Sequence, residues 1–174
     1  MSKWQSPLAG YENAEPLPTA FNPVTKALVG IPAPQSKSYD EFPKPIDSSS
    51  NGFDFHIYYM QGVPEEAKYA QELHERIRRE FPELPIFRLW DKPMGPHPTA
   101  MFEVDTFNPH QTGALFSWLT VNRGPCDVFI HPNTGDFYKD HTVLASWMGR
   151  QWPLYSDVLK DVPPPDNNGT PVWK

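Results

Sequence analysis

Cysteine is almost absent: the 174 residues contain one, Cys126. A single thiol excludes an intramolecular disulfide, and with no secretory signal the expected compartment is the reducing cytoplasm. Cys126 opens the apolar run Cys126 to Ile130, which predicts a buried structural thiol rather than a nucleophile. Basic charge is also short. Lys and Arg number 15 against 21 Asp and Glu, giving a formal net charge of −6. Neutralising phosphates requires a basic face, so no nucleic-acid partner is expected. No apolar run approaches the roughly 18 residues of a membrane helix. Residues Met1 to Gly10 lack a charged segment followed by an apolar one, so no signal peptide is expected either.

Proline is abundant instead. The chain has 22, well above the usual share of about 5%. They cluster at the two ends, where fixed φ angles and missing N–H groups oppose regular structure. Residues 1–52 therefore read as a proline-rich irregular arm, closed by the turn residues Ser48, Ser49, Ser50, Asn51 and Gly52. Its Trp4, Tyr11, Phe21, Leu28, Val29 and Ile31 predict an arm that wraps over the domain or a partner. Residues 161–174 read as an irregular C-terminal tail. One domain is left, residues 53–160, with 39% hydrophobic residues in the whole chain to supply a modest core.

Within that domain the period changes segment by segment. Phe53, Phe55, Ile57 and Tyr59 alternate with Asp54, His56, Tyr58 and Met60, which predicts a strand. Pro64 opens a helix with Glu65 and Glu66 in its first turn, where the helix dipole favours acids. Ala70, Leu73, Ile77 and Phe81 form its apolar stripe, Glu72–Arg76 and Glu75–Arg79 its exposed i,i+4 pairs, and Pro82 its stop. A second strand is expected from Ile86 to Trp90 and a third from Thr99 to Phe107. Asn108 caps a second helix with Pro109 at its first position, ended by Arg123-Gly124-Pro125. A fourth strand spans Asp127 to His131, and a short helix follows near His141 to Met148. The order β-α-β-β-α-β predicts an α+β, ferredoxin-like fold: a four-stranded antiparallel sheet with helices on one face. The other face is free for a site or for pairing with a second copy as a homodimer.

Six histidines carry the chemical signal. His74 and His110 lie on helices and read as surface residues. His56 has the parity opposite Phe55 and Ile57, so it faces the open side. If the first and third strands run parallel, His56, His97 at the entrance to the third strand and His131 at the end of the fourth meet at one end of the sheet. His141 can fold back over the same end. Imidazole clusters suit divalent first-row metals, and zinc hydrolysis and oxygen chemistry are both open from such ligands. Separate histidines with ordinary hydrogen bonds remain the alternative, because no compact pair such as H-E-x-x-H is present. Glu103 shares the open-face parity and can act as an anionic ligand or base, or pair with Arg88 or Arg123.

Several blocks then read together: FDFHIYY from Phe53, GPHPTAMFEV from Gly95, Asn122-Arg123-Gly124, HPNTGD from His131, and Asp140-His141-Thr142. With Trp147-Met148-Gly149 and Pro153-Leu154, they resemble the signature of the DOPA 4,5-dioxygenase family from about Phe53 to Leu159. The resemblance implies a small cytoplasmic enzyme that uses Fe(II) and O2 to cleave a catechol ring outside its two hydroxyls. Characterised relatives act on L-DOPA. On this reading His56, His97 and His131 are the metal ligands and His141 the acid–base residue, with Glu103 completing the site. Arg123 and Asn133 are the substrate-binding candidates, Arg123 through a substrate carboxylate. Zinc or another divalent ion can replace iron on the same ligands. A zinc-dependent hydrolase and a non-catalytic dimeric module are the competing readings.

Overall fold

The computed structural model describes residues 6–49 and 51–160. The chain divides into two compact units, residues 1–36 and 37–174. In the first, the regular feature is a bridge between Phe21 and Leu28. It is closed by Asn22, whose Oδ1 accepts from the backbone N–H of Val24 and Thr25.

The second unit holds β1 (Phe53–Tyr59), α1 (Pro64–Glu80), β2 (Ala100–Thr106), α2 (Pro109–Asn122), β3 (Asp127–Pro132), α3 (Phe137–Thr142) and β4 (Ser146–Met148). The sheet order is β2-β1-β3-β4, antiparallel throughout. This is the expected α+β, ferredoxin-like arrangement. No helix among the described residues is long and apolar enough to cross a membrane.

Helix ends follow the sequence closely. In α2, Asn108 Oδ1 accepts from Gln111 N, and Gln111 Oε1 accepts in return from Phe107 N. Two backbone donors that the helix cannot use are satisfied reciprocally. In α1, Glu66 reaches back to accept from Met60 N at 3.0 Å. The surface pairs are shifted from expectation. Glu75–Arg79 forms, but Arg76 turns to Glu80 and Glu72 to Lys68. Each is exposed and screened by solvent, so it adds little to stability.

Strand alternation sorts the two faces of the sheet. Phe55, Ile57, Tyr59, Ala100, Phe102, Val104, Val128 and Ile130 face the helices and meet Ala70, Leu73, Ile77, Leu115 and Leu119. Burying each large side chain here contributes roughly 1.5–3 kcal/mol. Cys126 is a free thiol in this core, as its apolar surroundings predict. The opposite face carries three cross-strand rows: Asp105–Asp54–His131, Glu103–His56–Phe129 and Met101–Tyr58–Asp127.

Three expectations are corrected. Ile86 to Trp90 does not form a regular strand. It touches β2 through the isolated bridges Ile86–Val104 and Trp90–Met101, whose registers differ by one residue. Pro85 cannot donate to the ladder, and the one-residue slip acts as a bulge. The stretch expected as a helix from His141 to Met148 divides into the end of α3 and the edge strand β4. Finally, β1 and the strand after the 86–90 segment run antiparallel, not parallel, because that segment returns beside β2 as a hairpin partner. The entrance to β2 therefore lies at the opposite end of β1 from the end of β3.

At the C-terminus of α2 the chain reverses through Gly124 at φ 56°. Tyr69 closes over this turn and donates its hydroxyl to the Asn122 carbonyl at 2.8 Å. A Cβ at Gly124 would lie 2.3 Å from the Tyr69 ring. Gly124→Ala should therefore lower stability by about 1–3 kcal/mol, seen as a lower urea midpoint at unchanged slope.

Candidate metal centre

The open face is where polar side chains are buried. His56, His97, His131 and His141 are all between 1% and 6% exposed. Burial is the main reason their pKa values fall. The His131 ring is held down to about 4 and His141 to about 2, while His56 and His97 lie well below the usual imidazole range. Neutral imidazoles with free lone pairs are the form that binds metal.

His56 and His131 sit on adjacent strands with their Nε2 atoms 3.1 Å apart. His141 is delivered by α3. The Asp136 side chain caps this helix, and Asp140 accepts from Thr134 N and Oγ1 at 2.9 and 2.5 Å, tying the turn after β3 to the helix. The His141 ring then lies 4.0 Å from that of His131. One nitrogen from each of His56, His131 and His141 falls within a 4.8 Å cluster.

The remaining nitrogens explain the orientation. His131 Nδ1 lies 3.0 Å from the Pro132 carbonyl and His141 Nδ1 2.9 Å from the Phe137 carbonyl. A carbonyl can only accept, so both rings carry their proton on Nδ1 and turn the Nε2 lone pair inward. His56 Nδ1 lies 3.4 Å from Glu103 Oε2 and otherwise has no partner. His56 Nε2 and His131 Nε2, 3.1 Å apart, share a hydrogen bond in which His56 donates, and a metal would take the place of that proton. The donor set thus fits a divalent metal held by three imidazoles, with a carbonyl or carboxylate behind each.

His97 reaches the same place by another route than expected. Its loop folds back across the open face from the opposite end of β1, and its ring lies 4.3 Å from that of His56. Tyr58 lies 2.6 Å from His97 Nδ1. Burial pushes the Tyr58 phenol far above its usual pKa, so it stays protonated and can donate to Nδ1. With the phenol donating, His97 would carry its own proton on Nε2. The Pro96 carbonyl accepts from Tyr155 N at 2.9 Å, linking this loop to the segment after β4.

Beside the imidazoles lie three carboxylates, Asp54, Glu103 and Asp105, also within a 4.8 Å cluster. Burial and mutual repulsion raise Asp105 to about 7 and hold Glu103 well above the usual range; burial raises Asp54 to about 6. Asp54 Oδ2 is 3.5 Å from His131 Nε2. Asn133 and Asn51 both donate to Asp54 Oδ1. Asp54 and Tyr58 escaped the sequence reading as site residues, although their open-face parity matched that of His56. Asn133 does reach the cluster, through Asp54. Arg123 does not. It sits before β3, at the end away from His131, and donates to the Cys126 carbonyl at 2.6 Å. His110 is exposed and pairs with Asp40, and His74 is half-buried against Phe102 and the Phe87 carbonyl.

A second hydrophobic cluster, Tyr58, Met101 and Phe129 with Trp90, Ala145, Trp147, Trp152 and Leu154, covers the rest of the open face. Between it and His141 lies a cavity of about 270 Å³.

The family model for the Dopa 4,5-dioxygenase family matches residues 53–158. An uncharacterised 21.2 kDa protein of Botryotinia fuckeliana is 51% identical over 169 residues, which cover 90% of this chain and 91% of that protein. The DOPA 4,5-dioxygenase of Amanita muscaria is 36% identical over 115 residues, 63% of this chain and half of that enzyme's length. A crystal structure from Nostoc punctiforme, named provisionally as a dioxygenase, superposes with a TM-score of 0.58 at 34% identity, covering 66% of this chain and 92% of that one. With the match extending over more than half of its length, the chain belongs to the Dopa 4,5-dioxygenase family and is a dioxygenase-like protein.

Proposed function

We propose that the protein is an extradiol dioxygenase that opens a catechol ring with O2 at a ferrous iron held by His56, His131 and His141. The observation that carries this reading is the inward convergence of three neutral imidazoles beside an aromatic-walled cavity. The overall reaction adds both oxygen atoms. A ring C–C bond just outside the diol breaks, one end becomes a carboxylic acid and the other an aldehyde, and the second hydroxyl-bearing carbon keeps its oxygen. Iron bound there would supply Lewis-acid binding of the catechol oxygens and redox activation of O2.

The chain's own residues divide the remaining work. The Pro132 and Phe137 carbonyls fix the tautomers of His131 and His141. Glu103 Oε2 faces His56 Nδ1 at 3.4 Å and, as a carboxylate, would accept a hydrogen bond from it once Nε2 holds a metal. His97 holds a proton on Nε2 and is positioned to give it to a reacting oxygen, while Tyr58 fixes that tautomer through Nδ1. On this reading the expected roles of His97 and His141 are exchanged. Asn133 holds Asp54 beside His131 rather than touching substrate, and Arg123 has no part in the reaction. The cytoplasm remains the proposed location. Zinc suits the same three ligands but has no redox chemistry, so metal identity decides between ring cleavage and hydrolysis.

Anaerobic titration with Fe(II), followed by a catechol and air, tests the proposal. One equivalent of iron should bind, and a yellow ring-opened product should grow with one O2 consumed per product. Failure to bind iron, or iron binding with no O2 uptake on any catechol, would sink it. His131→Ala should abolish stoichiometric iron binding, read by metal analysis. Glu103→Gln should weaken iron affinity roughly tenfold, the lower end of what loss of a supporting partner costs. His97→Gln should leave iron content unchanged while lowering kcat by about 10²–10⁴; loss of iron in this variant would make His97 a ligand instead.

A further inference from the structure

The cavity beside His141 is a slot of mixed chemistry. Trp147 and Trp152 form aromatic walls, and Thr142, Gln151 and Ser156 add polar groups. Trp147 is fixed by the ladder of β4. Trp152 has no such support, because the segment after β4 that carries it is neither helix nor strand. Something other than regular structure must hold that wall.

The holder is Asp127, the first residue of β3, whose side chain is buried at 6% exposure. Its Oδ1 accepts from Arg150 N at 2.8 Å. Its Oδ2 accepts from Arg150 Nε at 3.1 Å and from Trp152 Nε1 at 2.9 Å. A carboxylate only accepts, so a main-chain amide, a guanidinium and an indole are all matched by one group, and its charge strengthens each bond. Burying a carboxylate is costly unless its lone pairs are used. Here the three donors all come from the segment that walls the slot. Gly149 permits the close approach: its φ is 99°, and a Cβ there would lie 2.3 Å from Asp127 Oδ1. So held, the Trp152 ring meets Tyr58 edge-on at 6.3 Å and is covered by the Arg150 guanidinium at 5.4 Å.

We propose that Asp127 is a positioning residue for the substrate, fixing Trp152 as the wall against which the bound ring and its substituent pack. Asp127 lies at the end of β3 away from His131 and touches no reacting atom, so it acts through the indole. The inference rests on the ring-cleaving reading of the histidine cluster, and deepens it by assigning what orders the substrate cavity. Asp127 and Trp152 are then one unit toward the ligand, and removing either gives the loss that removing both gives.

The test is a double-mutant cycle on L-DOPA binding to the Fe(II)-loaded protein, measured by calorimetry without oxygen, with air admitted afterwards. Asp127→Asn keeps the shape, but whichever way the amide turns its NH2 faces a donor. Asp127→Asn and Trp152→Phe should each weaken L-DOPA binding about tenfold at unchanged iron content, and the double variant no more than either alone. Gly149→Ala keeps both the carboxylate and the indole but pushes the turn off Oδ1. It should weaken binding in the same way, and it decides the matter if Asp127→Asn does not fold. Additive losses in the cycle would overturn the positioning role. So would unchanged L-DOPA binding in Asp127→Asn or Gly149→Ala beside a lower urea midpoint, which would leave Asp127 a contributor to stability alone. Coupled losses without oxygen uptake would sustain the positioning role and remove ring cleavage. Failure of the unsubstituted protein to bind L-DOPA would overturn both.

Discussion

The register of β1 between β2 and β3 is the constraint on which the site depends. Side chains on a strand alternate between faces, so one residue of slip would carry His56 into the helix-facing core and bring Phe55 out. The apolar positions hold that register. Phe55 and Ile57 lie opposite Val104 and Phe102 on one side and Ile130 and Val128 on the other. Those pairs are packed by Leu73, Ile77, Leu115 and Leu119 from the helices. Each hydrophobic pair on one face thereby fixes a polar pair on the other. His56 meets Glu103, and Asp54 meets both Asp105 and His131.

Burial does the rest of the chemistry. On the open face the histidines are removed from water nearly as completely as the core, so their charged forms are disfavoured and their lone pairs stay available. The same low exposure raises the neighbouring carboxylates. Left alone, such an arrangement is unfavourable on both counts: acids that resist ionisation, and bases that resist protonation. A divalent cation at the imidazoles relieves both, since it is drawn to the lone pairs and stabilises the carboxylates around them.

Much of this was legible in the chain. Alternation in β1 and β2 gave the faces, and Asn108-Pro109 gave the start of α2 to the residue. The four blocks around His56, His97, His131 and His141 carried both the family and the site. The strand direction was not legible, because periodicity says which face a residue takes and nothing of which way a neighbour runs. His97 was therefore placed correctly for the wrong reason. It crosses the face on a loop, where strand logic put it at a shared end. The ring orientations of His97 and His141 were hidden for a related cause. Which nitrogen is free depends on a carbonyl one residue ahead of His131 or four residues back from His141, and on Tyr58, contacts that only the folded backbone defines. Tyr58 itself read as one more aromatic in an alternating strand.

The backbone bond from Tyr155 to the Pro96 carbonyl joins two parts of the site that the chain keeps far apart. On one side of it is the segment Pro153-Leu154 that walls the slot; on the other is the loop that carries His97. The two are tied by that main-chain bond. A displacement of the cavity wall at Pro153 and Leu154 would therefore pull on the His97 loop through the main chain rather than through side chains.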